Sequence, residues 1–235
     1  MPKIDCLAFA PHPDDVELFC GGTLLKLKKQ GYRTAVVDLT RGELSTNGTV
    51  QSRKEEARQA GRILQLDVRK NLGLPDGNLS DSEKNRKKII RVIRALRPPL
   101  CLLPYWEDRH PDHRDASLLI QKAVFAAGLK KIETGQAAYR PKNVFYYMLH
   151  YAFTPSFVVD ISAEFAQKRK AVECYMSQFS KTGKKSEATY INRTDFLNSL
   201  ETRAAYWGQQ VGAEQAEAFF YRGVIKIDNL LSFFS

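Results

Sequence analysis

Apolar runs and amphipathic stretches alternate along the first half of the chain. The apolar runs have the length of buried strands, and they cover residues 6–10, 33–40, 68–74 and 100–104. Between them, apolar residues recur at helical spacing in 16–30, 51–65, 80–97 and 115–128. Ser80, three residues before Glu83, predicts a capping box at the start of the third helix. Strands that alternate with helices predict parallel βαβ units, and uninterrupted apolar runs predict a sheet covered on both faces.

The second half of the chain is less regular. Further strands are predicted at 144–149, 157–161 and 219–227, and further helices at 163–179 and 195–211. The polar segment 180–190 is predicted to be a surface loop that could act as a lid. No repeat or linker divides the sequence, so residues 1–235 are predicted to form a single α/β domain. Its expected core is a Rossmann-like, doubly wound, mostly parallel sheet with helices on both faces.

Composition restricts the class of protein. The chain has 235 residues, 43% of them hydrophobic, which is enough for one sizeable core. No segment approaches the roughly 20 apolar residues of a membrane span, and the first apolar run is too short for a signal peptide. We therefore expect a cytoplasmic protein with no membrane partner. The four cysteines have no CxxC spacing, which predicts free, buried thiols in a reducing compartment.

The net charge of +10 raises the question of an anionic partner. Basic residues cluster at 84–88, 168–170 and 181–185. In the segment 81–97, apolar residues recur at helical spacing, which leaves the basic side chains on the outer face. We therefore interpret the basic runs as solvated helix faces and expect no nucleic-acid partner. Basic surroundings would also attract an anionic small substrate.

Two clusters of histidine and aspartate follow the first and the fourth predicted strand. The first cluster is Pro11-His12-Pro13-Asp14-Asp15, and the second is Arg109-His110-Pro111-Asp112-His113. The carboxyl ends of these two strands flank the crevice in which open α/β sheets bind their ligands. We therefore expect the two clusters to meet in space.

Histidine and aspartate in this combination suit a catalytic metal site. Two imidazoles and one carboxylate can hold zinc and leave a position open for water, whose pKa the metal lowers towards neutrality. The adjacent Asp14 and Asp15 can supply one ligand and one base. His110 and Asp112 can form a pair in which the carboxylate orients or charges the imidazole.

These motifs resemble those of the LmbE/PIG-L-like metal-dependent N-deacetylases. The segments that carry the resemblance are Ala10-Pro11-His12-Pro13-Asp14-Asp15, Gly21-Gly22-Thr23, Thr40-Arg41-Gly42-Glu43, Arg53-Lys54-Glu55-Glu56-Ala57 and His110-Pro111-Asp112-His113. The family's usual opening is Ala-His-Pro-Asp-Asp, from which Pro11 departs at a position outside the ligand set. The resemblance implies an LmbE-like version of the Rossmann-like fold.

The resemblance also implies a role for each matching residue. The metal ligands that it implies are His12, Asp15 and His113, and the catalytic residues are Asp14, His110 and Asp112. The substrate-binding residues that it implies are Arg53, Glu43 and Arg109. In this assignment Asp14 is the general base, and His110 stabilises the oxyanion or assists the leaving amine. Zinc is the expected metal, and iron(II) can occupy the same ligands.

The run from Leu72 to Leu79 and the chain length most resemble the bacillithiol-biosynthesis branch of the family. This resemblance implies N-acetylglucosaminyl L-malate as the substrate, a cytoplasmic location and a homo-oligomer, often a hexamer. The two carboxylates of malate fit a site bordered by arginines. A related branch, whose members deacetylate chitooligosaccharides or other N-acetylglucosamine compounds, stays open as the alternative.

Other interpretations of these residues stay open. Two histidines and a carboxylate also form the site of non-haem iron oxygenases, although their motif usually lies on a β-barrel. A nucleotide-binding enzyme is disfavoured because no G-x-G-x-x-G motif follows the first strand. Arg53 could merely pair with Glu55 or Glu56, and Glu43 could be a turn residue. His150 is interpreted as structural.

Overall fold

A sheet of seven strands forms the centre of the computed structural model, which describes residues 3–179, 187–192 and 195–229. The strands are β1 (Cys6–Ala10), β2 (Thr34–Asp38), β3 (Val68–Asn71), β4 (Leu100–Pro104), β5 (Asn143–Tyr147), β6 (Phe157–Asp160) and β7 (Ala216–Phe220). Their order across the sheet is β3-β2-β1-β4-β5-β7-β6. The first five strands are parallel, whereas β7 runs antiparallel to both β5 and β6. The predicted mostly parallel sheet is therefore confirmed.

Helices cover both faces of the sheet, as predicted. They are α1 (Asp15–Phe19), α2 (Gly21–Lys29), α3 (Val50–Ile63), α4 (Glu83–Leu96), α5 (Pro111–Ala127), α6 (Phe165–Glu173), α7 (Met176–Phe179) and α8 (Phe196–Gln209). Helices α4 and α5 pack against one face, and α1, α2, α6 and α8 contribute apolar side chains to the other. Helix α3 packs against α2 and α6. Every residue of β1 is buried, as its continuous apolar run requires.

The direction in which strands are added reverses at β1. This strand lies between β2 and β4, with which it pairs in parallel. The chain leaves β1 towards α1 on one face and leaves β4 towards α5 on the opposite face. The connections 11–14 and 105–110 therefore leave the same edge of the sheet side by side, and this is where ligands bind in such folds.

The single helix predicted after β1 is interrupted at Cys20, whose φ of −145° separates α1 from α2. The break creates a helix start that needs acceptors for its free N–H groups. The Glu217 carboxylate on β7 accepts hydrogen bonds from the N–H of Gly22 at 2.9 Å and of the next residue at 2.7 Å. Lys168 Nζ lies 2.7 Å from the same carboxylate. Lys168 is therefore buried in an ion pair, and the prediction of a solvated face was wrong for it.

Other boundaries also differ from the prediction. The helix predicted at 163–179 is divided into α6 and α7. Helix α4 is capped by the hydroxyl of Ser82 instead of Ser80, and α5 begins at Pro111 instead of residue 115. The last strand is β7, which replaces the predicted strand 219–227. A buried Glu217 at the second position of β7 interrupts the apolar run, so the sequence pattern hid the start of this strand.

Burial patterns agree with the remaining expectations from composition. All four cysteines are free thiols; those buried are Cys6, Cys20 and Cys101. Helix α4 buries Ile89, Ile90, Ile93 and Leu96, which leaves most of its basic side chains outside. Among the described residues, no helix combines the length and the apolar character that crossing a membrane requires.

Candidate active site

The loops that follow β1 and β4 bring the two histidine clusters together. Asp14 caps α1 and Asp15 is its first residue, whereas His110 caps α5 and His113 lies in the first turn of that helix. The ring centroid of His12 lies 4.8 Å from that of His110 and 5.4 Å from that of His113. The clusters meet at the reversal point of the sheet, as the sequence predicts.

His12, Asp15 and His113 converge on one point. Nδ1 of His12 lies 3.3 Å from Oδ2 of Asp15, and Nε2 of His113 lies 3.3 Å from Oδ1. Both separations are longer than a good N–H···O hydrogen bond. Each is close to the roughly 3.3 Å between neighbouring ligands of a tetrahedral ion at about 2.0–2.1 Å. The two nitrogens approach different oxygens of Asp15, and one ligand atom from each of the three residues lies within 4.8 Å of the others. These three residues could therefore hold a metal ion.

The outer nitrogen of each imidazole is tied to a carboxylate. Nε2 of His12 lies 3.1 Å from Asp76 Oδ1 and 3.1 Å from Asp112 Oδ2. Nδ1 of His113 lies 2.8 Å from Asp108 Oδ1. An ionised carboxylate only accepts hydrogen bonds, so these outer nitrogens carry protons, and the inner nitrogens, which face the Asp15 carboxylate, are the ones that a metal ion would bind. Such carboxylate partners accompany metal-binding histidines, and the donor set therefore fits a metal ion.

Asp14 and Arg53 form a buried pair beside this point. Asp14 is 5% exposed and Arg53 is 3% exposed, and Arg53 Nη1 lies 3.3 Å from Asp14 Oδ2. Burial raises the pKa of Asp14 to about 7, against the lowering effect of Arg53. The Asp14 backbone has a φ of 133°, a strained conformation that costs about 1–3 kcal/mol and recurs at functional sites. Nε and Nη1 of Arg53 have no hydrogen-bond partner within the described part of the chain.

His110 and Asp112 do not form the predicted side-chain pair. The Asp112 carboxylate accepts hydrogen bonds from His12 Nε2 at 3.1 Å and from the N–H of Gly77 at 2.8 Å. Nδ1 of His110 instead accepts a hydrogen bond from the backbone N–H of Asp112 at 3.2 Å, as the cap of α5. Burial, together with the charges of His12 and His113, lowers the pKa of His110 to about 4. His110 is therefore a neutral imidazole whose Nε2 carries the proton.

A cleft of about 370 Å³ opens over these residues, with Asp14, Arg53 and His110 in its wall. The exposed Arg109 also lines it and lies over the ring of Tyr190, with 4.0 Å between the guanidinium carbon and the ring centroid. Residues 189–191 thus contribute to the wall of the cleft. Most of the predicted lid, residues 180–186, lies outside the described residues.

Glu43 is a support for a neighbouring loop. Its carboxylate accepts hydrogen bonds from the N–H groups of Arg41 and Asp76, both at 3.1 Å. The Asp76 carboxylate in turn accepts a hydrogen bond from the N–H of Leu44 at 2.9 Å and contacts His12. Glu43 thereby fixes the loop that orients His12. Its contact with a substrate stays a prediction.

Comparison with known proteins identifies the family. The family model described as PIG-L, GlcNAc-PI de-N-acetylase, matches residues 7–124. Diacetylchitobiose deacetylase of Thermococcus kodakarensis is 32% identical over 223 residues, which span 90% of this chain and 80% of the relative. The chain belongs to the PIG-L family.

Solved structures place this PIG-L chain among proteins of the same fold. The conserved protein TT1542 of Thermus thermophilus has a TM-score of 0.87 and 40% identity, over 95% of this chain and 97% of the other. N,N'-diacetylchitobiose deacetylase of Pyrococcus horikoshii, complexed with its inhibitor MPG, has a TM-score of 0.79 and 25% identity, over 92% and 82%. The predicted resemblance is confirmed at the level of the family, and the branch within the PIG-L family stays open.

Three residues of this PIG-L site were missed or underrated in the sequence. Asp108 holds His113, and Asp76 holds His12. His150, interpreted as structural, lines the cleft. All three follow the carboxyl ends of parallel strands β3, β4 and β5. Their position at the carboxyl ends of the parallel strands could have indicated these three residues, because the histidine clusters were predicted to be functional from the same position.

Proposed function

We propose that this chain is a metal-dependent N-deacetylase that hydrolyses the acetamido group of an N-acetylglucosamine-type compound. The observation that carries the proposal is the grouping of His12, Asp15 and His113. Their ligand atoms lie within 4.8 Å of one another, and each imidazole places a nitrogen 3.3 Å from an oxygen of the Asp15 carboxylate. Membership of a family of de-N-acetylases supports the reaction class. A relative named diacetylchitobiose deacetylase supports the substrate class.

His12, Asp15 and His113 would hold the metal. When bound there, the ion would polarise the amide carbonyl and lower the pKa of a water molecule towards neutrality. Two imidazoles and a carboxylate suit zinc, the metal that we propose, and iron(II) can take the same ligands. Asp108 and Asp112 would fix the orientation and the tautomer of the two rings. Asp112 would thus act through His12 instead of through His110.

Asp14 would be the general base. It lies next to a ligand in sequence, and Arg53, 3.3 Å away, would hold its carboxylate in place. Hydrolysis adds one water across the C–N bond, so the water oxygen bonds to the acetyl carbon while the nitrogen gains a proton. Asp14 can take that proton from the attacking water and return it to the leaving amine. Nε of Arg53, which has no partner among the described residues, would remain free for the substrate.

His110 would stabilise the tetrahedral oxyanion as a neutral hydrogen-bond donor. Its Nδ1 accepts the N–H of Asp112, so Nε2 is the nitrogen that donates, and the residue lines the cleft. A preorganised donor of this kind is worth about 10²–10³ in rate. This assignment replaces the imidazole charged by a carboxylate that the sequence suggests.

Within the family we propose N-acetylglucosaminyl L-malate as the substrate. Arg53 in the cleft and Arg109 at its rim would offer guanidinium groups to the malate carboxylates. Chitooligosaccharides fit equally well, because a 32% identical relative is a diacetylchitobiose deacetylase. The proposal includes one deacetylase domain over residues 1–235, a cytoplasmic location and a homo-oligomer, with a hexamer expected.

Acetate release tests this function. The metal-stripped protein is incubated with N-acetylglucosaminyl L-malate or N,N'-diacetylchitobiose, before and after addition of zinc or iron(II). We expect acetate only after metal is restored, and no consumption of oxygen. Faster release from the malate compound supports the bacillithiol branch, whereas faster release from the disaccharide supports the alternative branch. Metal binding without acetate release from either compound would contradict the proposed function.

A further inference from the structure

His150 places an unpaired nitrogen in the wall of the cleft. The residue follows β5, and its side chain is 7% exposed. Its backbone N–H donates to Asp108 Oδ2 at 2.8 Å, and its Nδ1 lies 3.0 Å from Asp108 Oδ1. Its Nε2 is buried and has no hydrogen-bond partner among the described residues. A buried polar atom without a partner costs about 1–3 kcal/mol, so its presence in a binding cleft indicates a partner that arrives with the ligand.

The Asp108 carboxylate determines which nitrogen of His150 is free. It accepts hydrogen bonds from the backbone N–H groups of His110, His150 and Tyr151 and from Nδ1 of both His113 and His150. A carboxylate with several such donors stays ionised and can only accept. Nδ1 of His150 therefore carries a proton. In the neutral imidazole Nε2 is then a hydrogen-bond acceptor, so the missing partner is a donor.

The position of His150 beside His113 indicates where this donor lies. The two imidazoles are stacked, with 5.4 Å between centroids and 11° between planes, and both direct Nδ1 to the same oxygen of Asp108. The His150 ring therefore lies beside the ring of His113, whose Nε2 faces the metal point. A ligand group that hydrogen-bonds to Nε2 of His150 would therefore lie next to the acetamido group. It would not be the amide carbonyl, which would face the metal point.

The other surroundings of His150 are aromatic. The rings of Phe19 and Tyr190 meet its ring edge-on with centroids 5.3 and 5.4 Å away, and Phe196 lies at 6.4 Å. Such surroundings exclude water from Nε2 and strengthen a hydrogen bond from a ligand. On an amino sugar, the donors that neighbour the acetamido group are hydroxyls.

We infer that His150 is a substrate-contacting residue whose Nε2 accepts a hydrogen bond from a sugar hydroxyl next to the acetamido group. The inference rests on the proposed deacetylase function and extends it, because it makes a hydroxylated amino sugar a better substrate than a simple acetamide. The group Asp108, His113 and His150 could also suggest a second metal site. Two of its nitrogens already donate to Asp108, so only Nε2 of His150 would be left to bind an ion.

Two substitutions separate contact through Nε2 from support through Nδ1. Asn places its amide nitrogen near the position of Nδ1, so His150→Asn keeps a donor to Asp108 and loses the acceptor. Gln places its amide near the position of Nε2, so His150→Gln keeps an acceptor there and loses the bond to Asp108. We expect kcat/KM for the preferred N-acetylated sugar to fall about tenfold to a hundredfold in His150→Asn, and less in His150→Gln. One metal ion per chain is expected in both variants.

Nitrogen NMR of the zinc-loaded protein gives a readout other than turnover. The chain has only four histidines, and the spectrum of His150→Asn assigns the signal of His150. In the Asp14→Asn background the ligand stays intact, and N-acetylglucosamine is expected to shift the Nε2 signal of His150. Acetamide at the same concentration is expected to leave it unchanged.

The outcomes distinguish this inference from the proposed function. If wild-type protein releases no acetate, the proposed function is wrong, and the inference that rests on it is wrong as well. If wild-type protein is active and His150→Asn equals it while His150→Gln is impaired, His150 only supports Asp108 and the inference is wrong. Loss of a second equivalent of metal in His150→Asn would overturn it in favour of a second metal site. An Nε2 shift with acetamide would overturn the hydroxyl as the donor.

Discussion

Replacing Asp108 by asparagine tests how the metal ligands are held. Oδ1 of Asp108 accepts hydrogen bonds from the N–H of His110 and from Nδ1 of His113 and of His150, at 2.8–3.0 Å. Oδ2 accepts the N–H of His150 at 2.8 Å and, more weakly, the N–H of Tyr151 at 3.4 Å. An amide has only one oxygen. The orientation with that oxygen at Oδ1 loses two acceptor contacts, and the reverse orientation loses three.

The loss of stability in Asp108→Asn follows from the amide orientation that loses fewer hydrogen bonds, with the amide oxygen at the position of Oδ1. The buried N–H of His150 then loses its acceptor, which lowers the free energy of unfolding by about 1–3 kcal/mol. The bond to His113 also loses its charge, so the preference for the tautomer with Nε2 free to bind metal is weaker. Loss of such a support lowers metal affinity about 10–100-fold.

Zinc titration of the stripped protein by calorimetry measures this affinity, and denaturant unfolding measures the stability. Glu107→Gln is the matched control, because it removes a neighbouring, exposed carboxylate. Affinity should fall in Asp108→Asn and stay at the wild-type value in Glu107→Gln. An unchanged zinc affinity in Asp108→Asn would refute the assignment of His113 as a ligand held through Asp108.

Three further substitutions test separate parts of the account. Asp14→Asn should bind metal normally yet lose about 10²–10⁴ in kcat, and a near-normal rate of acetate release would remove Asp14 as the base. His113→Ala should lose bound metal, measured by elemental analysis after dialysis; wild-type stoichiometry would exclude His113 from the ligand set. Glu217→Gln should lower the free energy of unfolding in urea by about 3–5 kcal/mol, because it leaves Lys168 buried without a counter-charge. Glu173→Gln, in an exposed pair, should change it by no more than about 0.5 kcal/mol, and similar losses in the two variants would contradict the importance of burial.

The fold was predictable in segments whose own pattern of apolar residues specifies a strand or a helix. The strands β1 and β4 are continuous apolar runs, and α4 has apolar residues at helical spacing, so their local patterns specify them. Prediction failed where a residue far away in the sequence determines the boundary of an element. The start of α2 depends on Glu217, which lies about two hundred residues away in sequence and binds it at 2.9 Å. A local sequence pattern carries no information about such a contact between distant parts of the chain.

The candidate site likewise has residues that local motifs predict and contacts that they do not. His12, Asp15 and His113 stand in compact motifs that follow β1 and β4, and this position predicts their convergence. The partners of their side chains were not predictable, because Asp76 and Asp112 reach His12 from different loops. The expected pairing of Asp112 with His110 was wrong because sequence neighbours in the first turn of a helix point their side chains apart. Contacts across loops are fixed by tertiary packing.

The central claim is that one metal ion held by His12, Asp15 and His113 makes this chain a deacetylase. The most direct measurement is the rate of acetate release from N-acetylglucosaminyl L-malate and from N,N'-diacetylchitobiose, as zinc is added stepwise to the stripped protein. The account predicts a rate with at least one of these compounds that rises in proportion to bound metal and stops rising at one equivalent per chain. Acetate release by the fully stripped protein, or one bound equivalent without release from either compound, would contradict it.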